Sequence, residues 1–216
     1  IDLRLKQHFN LRPDDDEGLL QALGDDFRSV SAPYTGPAIH APVAGREIDI
    51  WGIHRRWVEH ESGGYWDYCD FPLRDATMEM IEKWPMPNPD HFDYHQVTQL
   101  CHQYADQCVI VGNAGVGDII NSTGMIRNME QVLIDLATDD PIGLRYIDRK
   151  TEVMLEIMSR TLEAGKGGID VFFIGEDLGT QIGPMISKKV FRNQIRPRLQ
   201  KYVDLAKSYN LPVMFH

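Results

Sequence analysis

The stretch Gly167 to Gln181, GGIDVFFIGEDLGTQ, sets two carboxylates directly behind an apolar run. Val171 to Ile174 suit a buried strand, whose middle is hidden. Charges at its exit are therefore solvated, paired or put to use. Glu176 and Asp177 can divide a task there: one carboxylate orients, the other binds substrate, metal or a proton. A helix-capping or loop pair is the structural alternative. His216 closes a second such run, LPVMFH. It sits where a strand leaves the core, as a metal ligand or acid–base group would, or as a hydrogen-bonded core histidine. If the two strands are neighbours, Asp177 and His216 share one layer. Gln181 lies just beyond the carboxylates.

Val111 to Asp118, VGNAGVGD, has the order GxxGxG and lacks the dinucleotide spacing GxGxxG. It reads as a tight turn that lets substrate approach the backbone, with Asn113 at the strand exit as a contact. His91, His95 and His102 fall on one helix face without the glutamate of a catalytic zinc helix and read as solvated. Arg46 and Arg55, with Arg56, are candidates for binding a polycarboxylate if they reach the strand-end face. Arg192, Arg196, Arg198 and Lys201 read as a solvated helix face. Trp51, Trp57, Tyr65, Trp66 and Tyr68 either line a mouth for a flat or apolar substrate or staple hairpins together.

These groups need elements to position them. Asp2 to Leu23 reads as two short helices and DDFRSVSAP as a strand closed by Pro33. Residues 33–74 alternate polar with bulky apolar side chains around Gly63-Gly64, the pattern of a β-hairpin insertion. DATMEMIEKW reads as a short helix capped by Asp75, and WPMPNPD as an extended connector. Strands CVIVGN, DVFFIG and LPVMFH then alternate with helices over 92–104, 118–128, 129–137, 141–162 and 187–207, the last kinked at Pro197. Continuous apolar strands between helices mean a parallel α/β sheet, doubly wound or a (β/α) barrel, with chemistry at the strands' carboxyl ends. A strand directly before the last residue leads us to expect a partial barrel, one domain over 1–216 with segments missing at both ends.

The 216 residues carry 22 Lys and Arg against 32 Asp and Glu, a net charge of -10, which argues against nucleic acid or an anionic membrane as partner. Cys69, Cys101 and Cys108 have no CxxC spacing and suit reduced thiols in a cytoplasmic protein. No run approaches the roughly 20 apolar residues of a membrane span.

The stretches WPMPNPDHFD, GEDLGTQIGPMISKKVFRNQIRPRLQKYVDLAK and LPVMFH resemble the uroporphyrinogen decarboxylase superfamily, with weaker similarity from LLQALGDDFR onward. The resemblance implies a (β/α)8 TIM-barrel fold of which this chain supplies about four middle strands. It also implies one of two chemistries. Decarboxylases strip carboxylates from a tetrapyrrole without metal or cofactor, using an M-R-Q-A-G-R motif, an aspartate and a tyrosine. This chain has no such motif, has Asn121, Ser122 and Thr123 without a tyrosine after CVIVG, and has EDLGT where decarboxylases resemble E-S-H-A-G. Corrinoid-dependent methyltransferases look similar at the strand ending in FH, where the histidine opens a zinc motif that holds a thiol acceptor as thiolate.

The expectation is therefore a methyltransferase-like enzyme. Asp177, His216 and Glu176 would be catalytic and His216 a zinc ligand. Asn113, Gln181, Arg46 and Arg55 would contact substrate, and a corrinoid, free or on a partner protein, would be co-substrate. The alternative is a cofactor-free lyase acting on a tetrapyrrole or smaller polycarboxylate. A third reading is a non-catalytic corrinoid- or tetrapyrrole-binding protein.

Overall fold

The computed structural model describes residues 2–61 and 63–216. Helices α1 (Asp2–His8) and α2 (Asp16–Leu23) lead to strand β1 (Phe27–Val30). Asp15 caps α2 by accepting from the Gly18 N–H, and Gly24 ends it in a left-handed conformation. A separate antiparallel sheet follows, of β2 (Glu47–Ile48), β3 (His54–His60) and β4 (Gly63–Cys69). Next come α3 (Met78–Lys83), α4 (Tyr94–Gln103), β5 (Cys108–Gly112), α5 (Ile120–Arg127), α6 (Met129–Thr138), α7 (Pro141–Ala164) and β6 (Val171–Ile174). A small hairpin, β7 (Gly179–Thr180) and β8 (Gly183–Pro184), precedes α8 (Lys188–Val190), α9 (Arg196–Ser208) and β9 (Val213–Phe215). This is a mixed α/β architecture.

The parallel sheet has the order β1-β5-β6-β9, so each strand adds beside the previous one without reversal. One row across it, Val30, Val111, Phe172 and Val213, is in register and faces the helices. Val97 and Cys101 of α4, Ile157 and Leu162 of α7, and Tyr202 and Ala206 of α9 close over that row in one core cluster. Phe172 is fully buried there; truncating it to Ala would cost about 3–5 kcal/mol. On the opposite face Phe27 and Met214 are exposed.

The base of the hairpin region is tied to this core by buried hydrogen bonds. Leu73 N–H donates to the Ile126 carbonyl, 3.1 Å, and buried Arg127 donates to the Leu73 carbonyl, 2.6 Å. Arg127 also forks onto the Asp135 carboxylate at 2.6 and 3.2 Å, so a fully buried charge pair joins α5, α6 and the hairpin base. In the hairpin Trp57 and Trp66 face each other across β3 and β4, edge to face at 5.6 Å. They act as a cross-strand staple.

Three local expectations are corrected. Thr77, not Asp75, caps α3, its hydroxyl accepting from Met80 N–H. The helix expected over 187–207 is divided: residues Phe191–Ile195 form a π turn between α8 and α9, and Arg196 N–H reaches back to the Phe191 carbonyl. Pro197 has no N–H for the Asn193 carbonyl, so the wider turn replaces a simple kink. Arg198 is not solvated: it is 9% exposed and donates to Asp148 at 2.8 Å and to the Gln194 carbonyl.

Candidate functional site

Strands β6 and β9 are hydrogen-bonded neighbours, and their exits run side by side: His216 N–H donates to the Ile174 carbonyl at 3.0 Å. That adjacency brings His216 Nδ1 to 3.3 Å from Asp177 Oδ1. The two side chains stay 59% and 50% exposed, open to a ligand. Asp177 is held from its other oxygen by the Asn121 side-chain amide, which donates at 2.7 Å. Asn121 sits on the first turn of α5, so this helix fixes the carboxylate and the carboxylate faces the imidazole.

Glycine makes the exits close enough. A Cβ on Gly175 would stand 2.4 Å from the Ala114 carbonyl oxygen, and one on Gly112 would stand 2.2 Å from that of Phe173. Gly175 N–H donates to the Val116 carbonyl at 2.9 Å. The turn after β5 is therefore pressed against the residue before Glu176, and α5 begins directly above.

Glu176 points the other way from Asp177, into the protein, and is 3% exposed. Its carboxyl accepts from Ile119 N–H at 2.8 Å and from Ile120 N–H at 3.3 Å, at the start of α5. Asp118 accepts from Asn121 and Ser122 N–H, both at 3.1 Å, at the same helix end. The two carboxyl groups are close enough for each to bias the protonation of the other. Burial, then the Asp118 charge, pushes Glu176 well above the usual carboxylate range. Burial also raises Asp118, while Lys150 opposes the rise. Lys150 of α7 is 8% exposed, and burial brings it down to about 8 against the pull of Asp118, Asp49 and Glu176.

A cavity of about 670 Å³ opens above these groups. Asp177, His216, Asn121 and Asp118 line one side, Asp67, Tyr68 and Phe71 of the hairpin region another, with Met125 and Met129 between. Its size and mixed lining suit a small-molecule site. No lysine or arginine lines it among the described residues.

The structure thus gathers Asp177 and His216 on the cavity wall and sets Glu176 behind it. The other expected contacts lie off the wall. Asn113 is exposed and uses its side-chain oxygen for Gly115 N–H, 2.8 Å. Gln181 is in the exposed β7–β8 turn. Arg46 forks onto Asp70 at 2.7 and 3.1 Å, and Arg55 pairs with Asp49 at 2.8 Å while stacking over Tyr68. His95 and His102 are exposed, as read, and His91 belongs to a separate 3-10 turn before α4.

As a zinc site the wall is incomplete. His216 and Asp177 are of donor type, but the described residues bring no group of three His, Cys, Asp or Glu together. The residues present do not make a closed zinc set. No helix of the described residues is long and apolar enough to cross a membrane.

Sequence reasoning passed over Asp67, Asn121 and Asp118 as wall residues and Lys150 beneath them. Lys150 carried a signal: it falls in the buried stripe Tyr146, Ile147, Lys150, Thr151, Ile157, Met158 of α7, where a lysine is out of place unless charges face it. No protein-family model matches the chain, and no curated protein matches it.

Proposed function

We propose that the chain is part of a uroporphyrinogen decarboxylase-like (β/α) barrel enzyme of the methyl-transferring kind, with Asp177 and His216 as its reacting groups. The sequential strand order β1-β5-β6-β9 and the single helix-covered face support the barrel reading over a doubly wound one, whose order would reverse. The observation that carries the functional reading is the Asp177–His216 pair, 3.3 Å apart on the wall of a cavity at the carboxyl ends of adjacent strands.

In this reading a thiol acceptor binds in the cavity. His216 takes the thiol proton, and Asp177, fixed by Asn121, stabilises the imidazolium that results. The thiolate sulfur forms a bond to the methyl carbon of a methyl-corrinoid; the cobalt–carbon bond breaks and cobalt keeps the electron pair. Tyr68, Phe71, Met125 and Met129 provide apolar surface for a large flat ring system. Because the zinc set is incomplete, no step is assigned to a metal.

The wall disfavours the polycarboxylate lyase. Its charged residues are Asp67, Asp118 and Asp177, like in sign to the substrate's carboxylates, and Arg46 and Arg55 are already paired elsewhere. The test is methylcobalamin with a small alkyl thiol: the full-length protein should demethylate the cobalt, read from the corrinoid spectrum, and His216→Ala should lose at least about tenfold of that rate. Decarboxylation of uroporphyrinogen by metal-free protein, with no methyl transfer, would overturn the proposal.

A further inference from the structure

Beneath the cavity wall lies a second, much smaller space of about 10 Å³, lined by Asp118, Thr123, Lys150, Thr151 and Tyr202. It is about the size of one water. Two polar groups there have no hydrogen-bond partner among the described residues. The Thr123 hydroxyl, on a residue 1% exposed, makes no hydrogen bond. The Lys150 ammonium stands 5.4 Å from the centroid of the Trp51 ring and has no hydrogen bond or ion pair among the described residues. An ammonium left this way is costly unless something polar bridges it to the nearby carboxylates. Asp118 is the one carboxylate that lines both spaces.

We propose that Asp118 is the cavity's proton-exchanging residue, that Glu176 stores its proton, and that Lys150, bridged by one water to Asp118 and Thr123, sets how readily the proton leaves. This rests on the cavity being the active site. The carboxyl pair holds one proton between its members, because two adjacent carboxylates at one helix end do not both ionise easily. On transfer, the proton passes from Glu176 to Asp118 and on to a basic atom of the ligand. The pair gains one negative charge, the ligand atom one positive charge, and no bond other than those to hydrogen changes. Ile119, Ile120, Asn121 and Ser122 N–H groups and the Lys150 ammonium face the doubly charged pair. The charge of Asp49 also favours the ammonium form of Lys150. Asp118 would be a catalytic residue, Glu176 and Lys150 positioning residues.

The experiment is a pH titration of ¹³C-labelled Asp and Glu side-chain carboxyls by NMR on the ligand-free protein, wild type and variants. Glu176 should remain protonated at pH 6 and lose its proton at or above neutrality. Asp118→Asn should make that proton leave more easily, and Lys150→Met should make it held at least about tenfold more tightly, one pH unit. Lys150→Arg should restore the wild-type step, which a merely structural role for the lysine would not require. A Glu176 carboxyl ionised at pH 6 overturns the shared proton, whether or not any variant folds. A Lys150→Met titration superimposed on wild type overturns the lysine's part.

The methyl-transfer assay supplies the remaining arm. Asp118→Asn should change the pH profile of the rate. An unchanged profile with transfer intact overturns Asp118 as the exchanging group and leaves the Asp177–His216 reading standing. Absent transfer in wild type removes that reading and the proton-exchange role that rests on it; the ligand-free titration then judges only the pair's shared proton.

Discussion

Glu176 and Asp177 are consecutive, chemically alike and opposite in circumstance. Glu176 is 3% exposed, with helix N–H groups and a second carboxyl for company; the Asp177 side chain is 50% exposed beside an imidazole and an amide. The difference arises just beyond the end of β6, where one side chain turns in beneath the start of α5 and the next reaches Asn121 on its first turn. The dipeptide thereby sets one carboxyl in a buried site that favours its protonated form and the next in an open one on the cavity wall, because environment and not residue type separates them.

The sharpest way to break that contrast is truncation on the buried side. Glu176→Ala leaves the buried Ile119 and Ile120 N–H groups without their acceptor, and should destabilise by about 2–4 kcal/mol in urea unfolding. Asp177→Ala should change stability by less than about 0.5 kcal/mol while abolishing most methyl transfer. Equal destabilisation by the two would mean that the environments are not distinct.

Acidity gives the next test. Glu176 has a folded pKa above its ordinary 4.5. As pH rises past 4.5 the unfolded chain releases this proton and the folded one keeps it. The contribution is thus fully present below pH 4.5 and declines above it until the folded group also ionises. Lys150, lowered to about 8 from 10.5, acts in the opposite sense, adding stability between those values as the folded amine deprotonates first. Stability of wild type relative to Glu176→Gln should therefore fall by at most about 1.4 kcal/mol per pH unit above 4.5, measured by urea midpoints between pH 4 and 8. A flat difference would show that burial does not hold the proton on Glu176.

The smallest effects belong to the hairpin arginines. Arg46→Ala breaks an accessible pair with Asp70 and should leave methyl transfer unchanged. A loss of activity would return Arg46 to the site as a substrate contact.

Much of the scaffold was legible because apolar runs and helix starts are local signals. Val171 to Ile174 and Val213 to Phe215 stand out as strands, and their adjacency was enough to set Asp177 beside His216. What was not legible depended on packing across the fold. Asp118 read as the end of a glycine-rich turn, and its pairing with Glu176 bridges residues far apart in sequence. Lys150 could be found from its place in an apolar stripe, but its opposing charges come from the segment after β6, the turn before α5 and the hairpin region. Arg46 and Arg55 looked available because nothing local reveals Asp70 and Asp49 as their partners. The π turn at Phe191–Ile195 required knowing how α9 must be rotated to seat Leu199, Tyr202 and Ala206.

The contact at Gly175 has a kinetic corollary. With its amide bonded to Val116 and its Cα against Ala114, the segment carrying Asp118 cannot swing out without dragging the segment that carries Glu176 and Asp177. Opening to admit a guest molecule would displace all three acids together, as one rigid flap. Hydrogen exchange at the Gly175 and Ile119 amides should then proceed at matched rates, through a common opening event.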